Sequence, residues 1–281
     1  MRSSYHNPEK HHHKKKVISK KLKNIIIRKL VELEEAEKVK VLYACESGSR
    51  AWGFASVDSD YDVRFIYAHH FDHYLSIKRH RDVIERPIEN QFDISGWDIR
   101  KALRLFRKGN PPLLEWLGSP IVYMEHSQFA ESLRSLLVEF YNPRACAYHY
   151  LHMAQGNFRT YLKGDTVWVK KYFYVLRPVL AIKWLECGYG VVPTEFTALL
   201  DRIIPSSSLK LEIERLLELK REGEELDYGP RINAISEFIE KELTRLDGIK
   251  FEFEKHIVPT DRLDDLFRRT LEEVWGVPRT G

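Results

Sequence analysis

Residues 47–64 of this chain have the sequence SGSRAWGFASVDSDYDVR, in which a Gly-Ser pair precedes two closely spaced aspartates. Asp60 and Asp62 are two positions apart at the start of a β-prone run, so both side chains are expected on one face of a strand. Two carboxylates on one face repel each other unless a positive charge lies beside them, and Mg²⁺ takes oxygen ligands of this kind. Surface strands also carry such pairs, so the pair alone does not establish a metal site.

The Gly-Ser pair strengthens the case for a ligand site. Gly48 and Ser49 follow a predicted strand and precede a predicted helix, where backbone N–H groups and the Ser49 hydroxyl can hold a phosphate. A glycine also lets the backbone come close to a ligand. The ten residues between Ser49 and Asp60 leave room for a short helix and a return to the neighbouring strand. An ordinary turn followed by a helix cap is the alternative interpretation.

Two periodicities divide the chain into an α/β part and a helical part. In the first part, apolar residues at helical spacing predict a helix over residues 17–37, and short β-prone runs predict three strands. The strands are expected at residues 39–44, 61–67 and 89–94. A helix capped by Asp98 follows and ends at Asn110-Pro111-Pro112, because proline cannot continue it.

Beyond residue 142 the pattern is almost entirely helical. Helices are predicted over residues 143–163, 166–186, 208–221 and 230–247. The expected fold class is therefore α+β, with an α/β domain at 17–125 and an all-helical domain at 143–281. A basic flexible tail, residues 1–16, precedes them.

The composition is that of a globular protein. Hydrophobic residues make up 43% and charged residues 31% of the 281 residues, and no run approaches the roughly 18 apolar residues of a membrane span. The start of the chain is basic and lacks the apolar core of a signal peptide. The three cysteines, Cys45, Cys146 and Cys187, are odd in number and widely separated, which favours a reduced cytoplasmic protein.

Positive charge is concentrated at the N-terminus, although the net charge is only +4. Residues 1–29 contain one acidic residue, Glu9, and ten basic ones: Arg2, Lys10, Lys14, Lys15, Lys16, Lys20, Lys21, Lys23, Arg28 and Lys29. Such a block can bind phosphate backbones by releasing counterions, which makes RNA a candidate partner. A solvated tail without a ligand is the alternative, and the three histidines at 11–13 are not expected to form a functional metal site.

A strand, Gly-Ser, a gap of about ten residues and Asp-hydrophobic-Asp-hydrophobic together resemble the signature of DNA polymerase β-like nucleotidyltransferases. Here the signature is Gly48-Ser49 followed by Asp60-Tyr61-Asp62-Val63, without departure from the pattern. Longer phrases are similar to a narrower group, the RNA repair pathway DNA polymerase beta family of bacteria and their phages. They lie at residues 46–54, 59–65, 110–116 and 170–178, and the resemblance spans roughly residues 39–200. It implies a polymerase β-like catalytic domain, a mixed sheet with flanking helices, followed by a helical substrate-binding domain.

The resemblance also implies chemistry at the aspartates. Enzymes of this superfamily hold two divalent cations, Mg²⁺ or Mn²⁺, with three carboxylates, and two of these are expected to be Asp60 and Asp62. Asp93, late in a β-prone run, is the preferred third catalytic and metal-binding residue. Asp98 is the alternative, although a helix cap explains it better.

Six residues are expected to bind the nucleotide: Gly48, Ser49, Arg50, Arg64, Lys171 and Tyr174. Arg64 lies two residues after Asp62 and shares its face, where it can contact a triphosphate or form a structural ion pair. Lys171 and Tyr174 match the lysine and nearby aromatic residue that related enzymes contribute from the second domain. They are predicted on one helix with Lys170 and Arg177, for which a core helix with solvated lysines is the alternative.

The expected activity is transfer of NMP from an NTP, with ATP favoured, to a hydroxyl on RNA, in RNA repair or end modification. The acceptor could instead be a protein side chain, as in antitoxin-like relatives that adenylylate a partner. From a different class, the chain could be an inactive nucleic-acid-binding protein, although such proteins usually lose the aspartates that Asp60 and Asp62 retain here.

Overall fold

The computed structural model describes residues 18–224, 226–253 and 259–276. Its helices are α1 (Lys20–Glu37), α2 (Gly48–Ala51), α3 (Phe71–Tyr74), α4 (Ile99–Arg107), α5 (Pro111–Leu117), α6 (Phe129–Phe140), α7 (Pro143–Tyr161), α8 (Tyr172–Glu186), α9 (Phe196–Ile203), α10 (Ser208–Glu222), α11 (Asn233–Arg245) and α12 (Asp261–Trp275). The predicted flexible tail at 1–16 lies outside the described residues. No helix in the described ranges is long and apolar enough to cross a membrane.

Five strands form a mixed sheet in the order β3-β4-β2-β1-β5. They are β1 (Val39–Glu46), β2 (Tyr61–His69), β3 (Val83–Glu85), β4 (Phe92–Asp98) and β5 (Val122–Glu125). Strands β2 and β4 are parallel, and the other neighbouring pairs are antiparallel. The three predicted strands correspond to β1, β2 and β4, whereas the short edge strands β3 and β5 carry too few residues to show a pattern.

Helix α1 covers one face of the sheet. Ser19 caps its start by accepting a hydrogen bond from the backbone N–H of Leu22, and Lys38 ends it in a left-handed conformation. Its apolar stripe, which includes Ile26 and Leu30, is buried against the sheet. Strand β1 is buried along almost its whole length because it is central and covered on both faces.

The face of the sheet opposite α1 packs against the helices that follow β4, beginning with α4. Asp98 caps α4, as predicted, by accepting a hydrogen bond from the backbone N–H of Arg100. Asn110 caps α5, and Pro111 occupies the first turn, where no N–H donor is needed. One buried apolar cluster continues from this face through α5 and α6 into α7 and α8. The proposed division into two domains thus falls across a continuous core.

The C-terminal part is helical, as predicted, with one correction. The helix predicted over 166–186 begins only at Tyr172, after the strand β6 (Thr166–Trp168) and a 3₁₀ turn (Val169–Lys171). Strand β6 pairs with β7 (Tyr228–Pro230), a partner about sixty residues away. Local periodicity could not reveal this strand because its hydrogen bonds come from a distant segment.

Candidate active site

Two aspartates lie side by side where β2 and β4 begin. Asp62 and Asp93 are direct register partners in this parallel pair, so their side chains share one face. Arg64 joins them, because its Nη2 lies 3.0 Å from Oδ1 of Asp62 and 2.7 Å from Oδ2 of Asp93. Its Nη1 also donates to the backbone carbonyl of Asp93 at 2.8 Å. The guanidinium supplies the positive charge that two adjacent carboxylates require.

Asp62 is the electrostatic centre of this group. Burial raises the pKa of Asp62, and the negative charges of Asp93 and Asp60 raise it further, while Arg64 opposes the shift. Asp60 is exposed at the entry to β2. The three predicted carboxylates therefore interact with one another, with the exposed Asp60 facing solvent and the other two held by the arginine.

Gly48 is tied to Asp62 rather than directly to a ligand. Its φ is +57°, and a Cβ at this position would lie 2.0 Å from Oδ2 of Asp62. The backbone N–H of Ser47 also donates to the carbonyl of Asp62 at 2.8 Å. Glycine is required because no other residue lets the loop that carries Ser49 approach the carboxylate so closely.

Asp98, the alternative third carboxylate, lies elsewhere. It pairs with Tyr67 at the far end of β2, five residues beyond Asp93. That separation is about 16 Å along a strand. Asp93, and not Asp98, is the carboxylate beside Asp62.

The helical part of the chain contributes a cluster of aromatic side chains around one lysine, Lys171. The Nζ atom of Lys171 lies 4.3 Å from the ring centre of Tyr174, 4.6 Å from Tyr161 and 4.8 Å from Trp168. Burial raises the pKa of Tyr174, and the charges of Asp62 and Asp60 raise it further. The structure therefore brings Lys171 and Tyr174 together, with Tyr174 within electrostatic range of Asp62 and Asp60.

The sequence profile of the RNA repair pathway DNA polymerase beta family matches residues 22–269. The chain belongs to this family. It is 52% identical over 256 residues to the protein YcgL of Bacillus subtilis (strain 168), a match that covers 90% of this chain and 98% of that protein.

Among solved structures, the chain is similar to a nucleotidyltransferase-like protein from Exiguobacterium sibiricum 255-15. The identity is 13%, and the match covers 88% of this chain and 80% of that one, with a TM-score of 0.31. That score is too low for individual site residues to be compared.

The side chain of Arg50 holds the loop before β2 through hydrogen bonds and a ring contact. Its Nε donates to the carbonyl of Asp60 at 3.1 Å, its Nη2 donates to the carbonyl of Ser59, and its guanidinium lies 3.8 Å from the ring centre of Tyr61. These contacts hold Asp60 at the entry to β2. The guanidinium of Arg50 is thus hydrogen-bonded within the protein, whereas the amine of Lys171 contacts aromatic rings.

The sequence analysis did not identify Glu46, which accepts a hydrogen bond from the backbone of Asp62. Glu46 is fully buried, and its Oε1 accepts the backbone N–H of Asp62 at 3.0 Å. Its Oε2 accepts the hydroxyl of Tyr123. Burial raises the pKa of Glu46 to about 7, against the effect of these two hydrogen bonds. The signal was present, since an acidic residue ends a mostly apolar strand two residues before Gly48.

A second missed residue is Glu115, which explains the position of Arg177. Arg177 was expected on the face of Tyr174, but it is buried and bonded at 2.6 Å to Oε1 of Glu115. Trp52 donates its indole N–H to the other carboxylate oxygen of Glu115 at 3.2 Å. Tyr150 also donates to Oε1. This network is a structural connection between the sheet side and the helices, not a ligand site.

Helix α10 also reaches the loop between Ser49 and Asp60. Lys220 donates to the hydroxyl of Ser56 at 3.2 Å, and Arg221 donates to the carbonyl of Gly53. Burial and the nearby charge of Lys170 lower the pKa of Lys220. Lys220 therefore joins Lys170 on the basic side of the site, although the sequence gave no sign of it.

Proposed function

We propose that this chain transfers an NMP group from an NTP, with ATP favoured, to a hydroxyl on RNA, in RNA repair or end modification. One observation carries the proposal: Asp62 and Asp93 are register partners on parallel strands, next to the Gly-Ser loop, and the charge of Asp62 reaches Tyr174, which contacts Lys171. Membership of an RNA repair family supports RNA as the acceptor. The three cysteines are unpaired, which supports a reducing compartment such as the cytoplasm.

The donor atoms suit Mg²⁺ or Mn²⁺, because Asp60, Asp62 and Asp93 offer hard carboxylate oxygens. Gly48 leaves Oδ2 of Asp62 uncovered by any Cβ, which is the space that such a ligand atom needs. Arg64 already stabilises Asp62 and Asp93 in the position that a cation would favour. When bound, two divalent ions supply Lewis-acid stabilisation of the attacking and leaving oxygens.

The chain's own residues position the substrate. We assign Ser49 and the loop backbone to the phosphates, because the first N–H groups of a helical turn have no partner within it. Lys171 and Tyr174 are assigned to the triphosphate and the base, respectively. Arg64 orients the carboxylates, and Arg50 orients the loop. Catalysis would then rest on positioning and on charge stabilisation.

The activity is tested by incubating the full-length protein with each labelled NTP, Mg²⁺ or Mn²⁺, and total RNA. Label should appear in RNA, and Asp60→Asn should abolish it. Label in a protein band would instead indicate protein modification. Salt-dependent RNA binding without transfer by any NTP would favour an inactive RNA-binding protein.

The basic N-terminus gives a second test of the acceptor. Deleting residues 1–16 removes five of the ten basic side chains, namely Arg2, Lys10, Lys14, Lys15 and Lys16. Affinity should fall alike for all RNA sequences and its salt dependence should flatten, because the lost contacts are to phosphate. Titration of labelled RNA at several salt concentrations measures both slopes. Identical slopes for both proteins would show that the tail does not contribute to RNA binding.

A further inference from the structure

A second cluster of ligand-forming side chains lies at the opposite end of β2 and β4. His69 is the last residue of β2, His73 is in α3, and Asp98 is the last residue of β4. Each can place one ligand atom within 4.8 Å of the other two. Three segments that are separate in sequence thus converge on one point.

The histidine rings of this cluster lie close to one another. The rings of His69 and His73 stack with centroids 3.6 Å apart, and His80 lies 4.3 Å from His73. Within residues 18–224, 226–253 and 259–276, no side chain hydrogen-bonds to a ring nitrogen of His69 or His73. Neutral imidazoles present the lone pairs that bind metals.

The Asp98 carboxylate is buried and fixed by hydrogen bonds to both oxygens. It is only 4% exposed, and its Oδ2 accepts the hydroxyl of Tyr74 at 2.7 Å. Its Oδ1 accepts the backbone N–H of Arg100 at 2.8 Å. Hydrogen bonds of this kind orient metal ligands and strengthen metal binding.

We propose that His69, His73 and Asp98 bind a structural Zn²⁺ ion, with His80 as the fourth ligand. A site made of two or three imidazoles and one carboxylate binds Zn²⁺ in preference to Mg²⁺. The ion fixes α3 and the exposed segment at 75–82 to the ends of β2 and β4. This site is independent of the proposed transferase activity, since it is about 16 Å along β4 from Asp93.

The test must first remove a competing source of metal binding. The tail contains four histidines, His6, His11, His12 and His13, whose imidazoles can take up added zinc independently of the folded site. We therefore use the full chain with these four replaced by glutamine as the reference protein. Zn²⁺ is titrated against a chromophoric chelator, and Co²⁺ is added separately to record its visible absorption.

The reference protein should bind one equivalent of Zn²⁺ and give the intense absorption bands of tetrahedral Co²⁺. His73→Gln and Asp98→Asn in this reference should each weaken Zn²⁺ binding by at least about 100-fold. His70→Gln, an adjacent exposed histidine, is the matched control and should bind normally. Circular dichroism without metal checks that each variant is folded. If His73→Gln does not fold, Asp98→Asn still tests the site, because Asn also caps the helix.

Two results would overturn the proposal. The first is a reference protein that binds no stoichiometric Zn²⁺. The second is unchanged affinity in folded His73→Gln or Asp98→Asn. Asp62→Asn should bind Zn²⁺ normally, and loss of binding there would place the ion at the other carboxylates and refute this site.

Discussion

The two ends of β2 and β4 carry the same residue types in opposite environments. At the start of the strands, Asp62 and Asp93 share a permanent cation, Arg64, and remain partly exposed. At the other end, Asp98 is buried, accepts the hydroxyl of Tyr74 and lies beside His69 and His73. The role of an aspartate in this protein is therefore set by its partners. A paired, accessible carboxylate suits substrate chemistry, whereas a buried, hydrogen-bonded one suits a structural role.

The largest expected effect separates the two ends by activity. Asp62→Asn and Asp93→Asn should each reduce nucleotidyl transfer by at least on the order of 10²–10³-fold, because each removes a charge that the reaction needs. Asp98→Asn should stay within a few-fold of the wild type, since Asn also caps a helix. Initial rates with a labelled NTP measure this. Equal losses of activity in Asp93→Asn and Asp98→Asn would contradict the difference between the two ends.

The next effect concerns the close approach of Gly48 to Asp62. Gly48→Ala should lower activity about 100-fold, because the new Cβ displaces the carboxylate and small misplacements strongly slow catalysis. Gly53→Ala is the matched control, with φ +86° and nothing within 4 Å of its Cβ. Both should lose about 1–2 kcal/mol of unfolding free energy from the left-handed backbone. Full activity in Gly48→Ala would separate the loop from the site.

A smaller effect tests the arginine that distinguishes the two ends. Arg64→Ala should lower the free energy of unfolding by about 1–3 kcal/mol, because it leaves two adjacent carboxylates without a cation. Arg81→Ala, in the exposed pair with Glu85, should change it by less than about 0.5 kcal/mol. Denaturant unfolding of the metal-free proteins gives both values. Equal changes would show that Arg64 is merely a surface ion pair.

The smallest effect is a gain in stability. The pKa of Asp62 is raised in the folded protein, so its ionised form opposes folding above that pKa. Asp62→Asn should therefore stabilise the metal-free protein at pH 7 by about 0.5–1 kcal/mol. The gain should disappear as pH falls through the raised pKa toward the ordinary value of 3.8. Thermal unfolding between pH 7 and 3.5 measures it, and a loss of stability at pH 7 would contradict the burial argument.

Local sequence was sufficient for the elements whose pattern lies within one segment. The spacing of Asp60 and Asp62 follows from the two-residue repeat of a strand, and the cap at Asp98 follows from the chemistry of a helix start. The edge strands and β6 were missed, because pairing with distant segments, and not their own few residues, makes them strands. Glu46 and Glu115 were missed for a related reason, since their partners are remote in sequence.

The family, the two-residue spacing of the aspartates and the need for a glycine before Ser49 can all be read from the amino-acid sequence. The identity of the carboxylate beside Asp62 depends on the fold, because parallel register places Asp93 there and moves Asp98 to the far end. The fold alone also brings His69, His73 and Asp98 together. Periodicity records what neighbouring residues do, whereas the meeting of distant side chains depends on strand register and packing.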